Sequence, residues 1–264
     1  MRWALQVEYL GYGFCGWQKQ CSVPTVQECL ELALSKVAGE SVSIVAAGRT
    51  DTGVHAVGQI VHFNTDIVRK PVAWVRGANT YLPDSVRVVW AEQVPDIFHA
   101  RRSAISRVYR YVIYQGPVRP ALYSHRVAWT HHKLSEEAIR EALPILIGCH
   151  DFSSFRGAEC QAVSAVREVK DISLFRVGSF WIFDIEANSF LQHMVRNIMG
   201  TMLYIGRGLR DVNWLSELLL KRNRFSSSSP TALPDGLYLL SVKYPAQYRF
   251  PMEESACLFP PLVV

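Results

Sequence analysis

Apolar and polar positions alternate over residues 2–9, with Trp3, Leu5, Val7 and Tyr9 set against Ala4, Gln6 and Glu8. A period of two sends successive side chains to opposite faces, so this segment predicts a half-buried strand. A loop containing Gly11, Gly13 and Gly16 closes on Trp17-Gln18. Thr25-Val26-Gln27-Glu28 then has the spacing of a capping box, in which the Thr and Glu side chains satisfy the first backbone N–H groups of a helix. Val26, Cys29, Leu30, Ala33, Leu34 and Val37 fall on one face of that helix, which stops at Gly39. Residues 42–46 and 59–63 are strand-like, and the loop with Gly48 and Gly53 joins them. Pro71 opens a second helix that Leu82-Pro83 ends, and 86–94 is the next strand. The first half therefore runs β-α-β-β-α-β.

The second half repeats this pattern loosely. It has a strand at 107–114, a helix at 135–147 kinked by Pro144, and a hairpin of 169–175 with 180–187 around Gly178-Ser179. The helix at 190–205 separates into two stripes. Leu191, Met194, Val195, Ile198, Met199, Met202 and Leu203 form a core face, while His193, Arg196, Asn197 and Gly200 form a polar one for a cleft or for solvent. Asp211 caps a further helix carrying Trp214, Leu215, Leu218 and Leu219, and 226–230 is a polar loop before a strand at 237–244. The tail at 258–264 is apolar with two prolines and suits docking, for instance on a second subunit. Together these elements predict an α+β chain of two tandem halves, 1–104 and 105–264. Each is ferredoxin-like, as RNA-recognition folds are, with a mixed or antiparallel sheet backed by helices and a cleft between the halves.

Hydrophobic residues are 49% and charged residues 19% of the 264, a composition that excludes a solvated disordered chain. The net charge of +5 permits a polyanionic partner without requiring one. Its distribution says more. From residue 97 to 135 there is no acidic residue, whereas Arg101, Arg102, Arg107, Arg110, Arg119, Arg126 and Lys133 fall there with four histidines. Such an electropositive stretch, interleaved with tyrosines, suits phosphate binding and the stacking of unpaired bases. The six cysteines form no CxxC pair and have no His at ligand spacing, which argues against a metal site. Glu8 interrupts the first apolar run, and the longest uncharged stretch, 52–65, holds two histidines and two glycines. Neither reads as a secretory or membrane segment, so a cytoplasmic protein is expected.

The chemistry concentrates in Ala47-Gly48-Arg49-Thr50-Asp51-Thr52-Gly53-Val54-His55-Ala56. Flanking glycines let a backbone approach a ligand closely, and Arg49 near Asp51 is a means of keeping a carboxylate ionised as a nucleophile. An Asp before Thr-Gly also has an ordinary use as a turn former, and Tyr109 as a half-buried strand aromatic.

The nine residues from Gly48 to Ala56 resemble the active-site motif of the tRNA pseudouridine synthase A family. The likeness extends to Phe14-Cys15-Gly16-Trp17-Gln18, Val26-Gln27-Glu28, 59–63, Asn79 with Leu82-Pro83, Phe98-His99-Ala100-Arg101, Tyr109-Arg110-Tyr111, 151–155 and His193-Met194-Val195-Arg196-Asn197. It departs at Leu10, Gln192 and Leu233-Pro234, none of them in the carboxylate motif. The resemblance implies an isomerase that converts uridine to pseudouridine at positions 38, 39 and 40 of the tRNA anticodon arm, without cofactor or metal, as a homodimer. By the same resemblance Asp51 is the nucleophile, Tyr109 packs on the target uracil, Arg49 fills the stack the base leaves, and Arg196 and Arg101 contact tRNA. His55 and His193 are expected to orient groups by hydrogen bonds. The competing readings are an idle RNA-binding protein on the same fold and a nucleoside hydrolase or glycosylase, which would also use a carboxylate near a ribose.

Overall fold

The computed structural model describes residues 1–224, 230–248 and 250–251. The apolar tail at 258–264 and most of the polar loop at 226–230 lie outside the described residues. The chain forms two compact units: Met1–Arg107 with the segment from Tyr238 onward, and Val108–Leu237.

The first unit holds β1 (Arg2–Tyr9), α1 (Val26–Ala38), β2 (Val45–Ala46), β3 (His55–Asn64), α2 (Pro71–Tyr81) and β4 (Val86–Val94) in the expected β-α-β-β-α-β order. Central β1 pairs antiparallel with β3, Leu5 opposite Val61, and with β4, Leu5 opposite Ala91. The helices cover one sheet face, where the fully buried Trp74 of α2 lies with its ring 5.9 Å from that of Trp3 and 5.1 Å from that of Phe63. Truncating such a side chain typically costs about 3–5 kcal/mol. A second cluster joins Ala4, Ile60, Trp90 and Phe98 to Tyr244, Tyr248 and Phe250. The last strand, β10 (Leu237–Lys243), runs parallel to β3 with Tyr238 opposite His55 and Leu239 opposite Ala56. A division at residue 104 grouped this strand with the second half; its apolar run is paired and buried in the first unit.

Two local expectations fail here. Thr25 is extended at the start of α1 but its hydroxyl caps nothing, so the predicted capping box is not formed. The strand expected over 42–46 shrinks to two residues. Val42 N–H donates to the Ser35 hydroxyl (2.9 Å) and Ile44 N–H to the Glu31 carboxylate (3.2 Å), so α1 takes the groups a strand partner would have used.

The second unit contains most of β5 (Ser106–Gln115), then β6 (Ala128–Thr130), α3 (Glu136–Ala142), β7 (Gly148–Asp151), β8 (Val166–Val177), β9 (Phe180–Ala187), α4 (Met194–Gly206) and α5 (Asn213–Lys221). Its strands follow the order β5-β9-β8-β7, with β6 parallel to β5. The β8–β9 hairpin turns at Gly178-Ser179 as the sequence suggests. Pro144 does not kink a long helix: α3 ends at Ala142 and Leu143–Leu146 form a 3-10 turn, because proline has no N–H for the α-helical ladder. The Asp211 carboxylate accepts the Trp214 N–H (3.1 Å) ahead of α5. Both units are thus mixed α and β, with mostly antiparallel pairing and helical backing.

Glu31 carries the 42–44 segment through its carboxylate, which also accepts from Gln27 Nε2 (3.0 Å). Glu31→Ala leaves a buried N–H unpaired and is expected to lower the unfolding free energy by about 1–3 kcal/mol in urea titrations. Unchanged stability would contradict this role.

Candidate active site

The loop from Ala47 to His55 leaves β2 and enters β3, and nearly every residue of it is tied to a neighbour in the first unit. Ala47 N–H donates to the Ile60 carbonyl (2.8 Å). The buried Gln59 donates through Nε2 to the Gly48 carbonyl (2.7 Å), and that nitrogen lies 3.5 Å from the Tyr9 hydroxyl. The Tyr9 and Thr50 hydroxyls are hydrogen-bonded at 2.9 Å, and Trp17 N–H donates to the Thr50 carbonyl (3.0 Å). Burial pushes the Tyr9 hydroxyl up to about 12, against the lowering effect of its bonds to Thr50 and Gln59, so it stays neutral. Val54 N–H closes a turn on the Asp51 carbonyl (3.1 Å) over Gly53, whose φ of +79° suits glycine.

The loop from Leu10 to Trp17 packs directly against this turn. A Cβ on Gly11 would sit 2.1 Å from the Val54 carbonyl oxygen, and one on Gly16, at φ +83°, would sit 2.9 Å from that of Thr50. This close backbone approach is the physical reason for glycine there. Gly11 N–H donates to His55 Nδ1 (2.9 Å), and the His55 ring stacks on Tyr238 at 4.6 Å. The His55 ring is thus held by the loop on one side and by β10 on the other. At the tip of this frame Asp51 is half-buried and Arg49 is exposed.

The loop 98–104 is anchored by a buried histidine. His62 Nδ1 accepts the Ala100 N–H (3.1 Å), and its ring lies 4.9 Å from that of His99. Burial, then the charges of Arg2, His99 and Arg102, hold His62 down at about 4. His99 Nδ1 accepts the N–H groups of Arg101 and Arg102 (3.2 Å each), leaving both arginine side chains exposed.

The acid-free arginines do not share one fate. Arg107 is buried and donates to the carbonyls of Arg101 (2.7 Å), Ala47 (3.0 Å) and Ala104 (3.5 Å). Arg110, in the second unit, forms a two-pronged pair with Asp184, both contacts 2.8 Å. Those two guanidinium groups are engaged within the fold, whereas Arg101, Arg102, Arg119 and Arg126 are exposed.

In the second unit Tyr109 is buried on β5, edge-on to Phe190 at 5.0 Å. Neighbouring Tyr111 donates to the Leu233 carbonyl (2.8 Å), and burial raises its hydroxyl far above the usual tyrosine range. Arg196 is half-exposed on the first turn of α4; its Nε donates to the Ala232 carbonyl (2.9 Å), and its own carbonyl accepts the Ala232 N–H (3.0 Å). The stripe assigned to a cleft or to solvent is divided. Asn197 is fully buried, donating to the Phe155 carbonyl (2.6 Å) and accepting from Thr231 (2.6 Å), and Gly200 is buried as well. The helix also starts later than 190, because His193 adopts a left-handed conformation (φ 62°) just before Met194.

Tyr9, Gln59 and Arg107 thus belong to the frame of the Asp51 loop, a role that sequence reasoning gave none of them. Gln59 had a legible signal: a buried amide in an apolar strand must find hydrogen-bond partners.

These features define a class: an α+β protein with a carboxylate presented on a loop whose backbone is fixed in advance. The chain belongs to the tRNA pseudouridine synthase family, whose model matches residues 5–101 and 142–245. Asp51, Arg49, Arg101 and Arg196 lie inside the matched segments, and Tyr109 falls between them. The tRNA pseudouridine synthase A of Colwellia psychrerythraea is 47% identical over 259 residues, covering 98% of this chain and 100% of that protein. That of Methylobacillus flagellatus is 50% identical over 254 residues, covering 96% and 97%. A solved Cbf5-Nop10-Gar1 complex overlaps 76% of this chain and 44% of its own at 12% identity and a TM-score of 0.38, too slight a likeness to bear on the fold.

A histidine held neutral by burial stabilises the fold above its unfolded pKa of about 6.5, and that contribution is lost as the pH falls toward about 4. In urea titrations across this window the wild type should lose stability relative to His62→Phe. A difference independent of pH would contradict the burial of a neutral ring.

Proposed function

We propose that this chain isomerises uridine to pseudouridine at positions 38, 39 and 40 of the tRNA anticodon stem-loop, with Asp51 as nucleophile. One observation supports this above the others: Asp51 is the carboxylate of the framed loop, inside a segment matched by the family model. In the reaction the C1′–N1 bond breaks, the uracil turns in place, a C1′–C5 bond forms, and C5 loses a proton while N1 gains one. No electron is gained or lost, so the chemistry calls for no redox cofactor. The carboxylate serves by adding to the base or the ribose, or by stabilising the cationic sugar.

The first unit supplies Asp51. Arg49, exposed two residues before it, occupies the stack from which the base is withdrawn. Arg101 meets tRNA phosphate from the anchored 98–104 loop. Tyr109 packs its ring on the flipped uracil and its hydroxyl assists removal of the C5 proton, and Arg196 is a further tRNA contact. The working form is a cytoplasmic homodimer with the tRNA spanning both subunits. No helix among the described residues is long and apolar enough to cross a membrane.

Asp51→Asn is expected to abolish tritium release from C5-labelled uridine in tRNA while tRNA binding stays within a few-fold of wild type. Full activity of the variant would end the assignment of Asp51. Free uracil among the products would identify a glycosylase, and a wild-type protein that binds tRNA but forms no pseudouridine would be an idle binder. Chelators should leave turnover unchanged.

A further inference from the structure

The acid-free interval presents Arg107 as one more candidate for phosphate, yet the fold uses it internally. Its guanidinium is buried and reaches carbonyls on two separate segments, Ala47 at the head of the Asp51 loop and Arg101 and Ala104 in the loop before β5. Arginine suits this task because its planar fork offers five donors in fixed directions, where a lysine ammonium is a single point of charge. The next carbonyl along the chain, that of Gly48, is held by Gln59. Gln59 is fully buried, and its Oε1 meets no donor among the described residues. The amide is therefore oriented by its donor side, toward Gly48 and the Tyr9 hydroxyl, with its acceptor left unmatched. Two successive carbonyls leading into Asp51 are thus gripped by two buried side chains from outside the loop, one on β5 and one on β3.

We propose that Arg107 and Gln59 are positioning residues for the reaction: by fixing the carbonyls of Ala47 and Gly48 they set where the Asp51 carboxylate stands when the ribose arrives. This inference rests on the reading of Asp51 as nucleophile. Small displacements of a reacting group cost large factors in rate without weakening substrate binding, and that separates positioning from phosphate contact. An arginine bound to phosphate governs affinity and its salt dependence; one that aims a carboxylate governs the chemical step.

The test compares wild type, Arg107→Lys, Gln59→Leu and Asp51→Asn in single-turnover pseudouridine formation on tRNA, alongside tRNA affinity at two salt concentrations and circular dichroism. Arg107→Lys keeps the charge and loses the fork; Gln59→Leu keeps the volume and loses the donor. The expected result for each is a chemical step at least ten-fold slower, with tRNA affinity and its salt dependence within two-fold of wild type and a folded spectrum. A chemical step within two-fold of wild type in either folded variant would overturn the inference while leaving Asp51 in place, as would a loss confined to affinity. Activity retained in Asp51→Asn would overturn both readings. If one variant fails to fold, the other decides the outcome on the same criteria.

Discussion

A loop that holds a carboxylate in a fixed place cannot also carry unpaired backbone groups away from water, because each would cost about as much as a lost hydrogen bond. The segment from Ala47 to His55 meets this constraint by drawing partners from outside itself. Ile60 and Arg107 take the two backbone groups of Ala47, Gln59 the carbonyl of Gly48 and Trp17 that of Thr50, while Val54, inside the loop, takes that of Asp51. The β3 strand begins directly where the loop ends, so the same strand that fixes Gln59 also sets His55 between Gly11 and Tyr238. The parallel pairing of β10 with β3 then has a clear purpose: it brings Tyr238 to the base of the loop from far along the chain.

The charge distribution looks different once burial is known. A run of basic residues in sequence suggests one electropositive surface, but the fold sorts its members. Arg107 serves backbone carbonyls and Arg110 serves Asp184, while Arg101 and Arg102 remain exposed on a loop pinned by His62 and His99. A guanidinium bound to carbonyls or to a carboxylate has spent donors it would otherwise offer to phosphate. Counting arginines therefore overstates the RNA-facing charge, and burial corrects the count.

Much of the architecture was legible because its signals are local. Alternation announced β1, proline at a first turn announced α2, and Gly39 in a left-handed conformation ended α1 where expected. The failures are those where a distant partner won. Residues 42–44 have strand character but give their N–H groups to Ser35 and Glu31 of α1. The strand after residue 236 follows the second half in sequence, yet pairs with β3 in the first unit. At the site, the motif exposed Asp51 and Arg49 directly, whereas Arg107 read as one more surface cation. Only a neighbouring segment's carbonyls reveal its burial, and sequence spacing does not encode them. Asn197, similarly, looked like part of an open polar stripe until Phe155 and Thr231 were seen to satisfy it.

The fixed carboxylate loop is proposed to serve pseudouridine formation at adjacent positions of one tRNA arm. Mapping pseudouridines at single-nucleotide resolution in tRNA from cells with and without this gene tests it most directly. Pseudouridine is expected to disappear at positions 38, 39 and 40 and nowhere else, and the gene encoding Asp51→Asn to fail to restore it. An unchanged map, or restoration by the Asn variant, would contradict it.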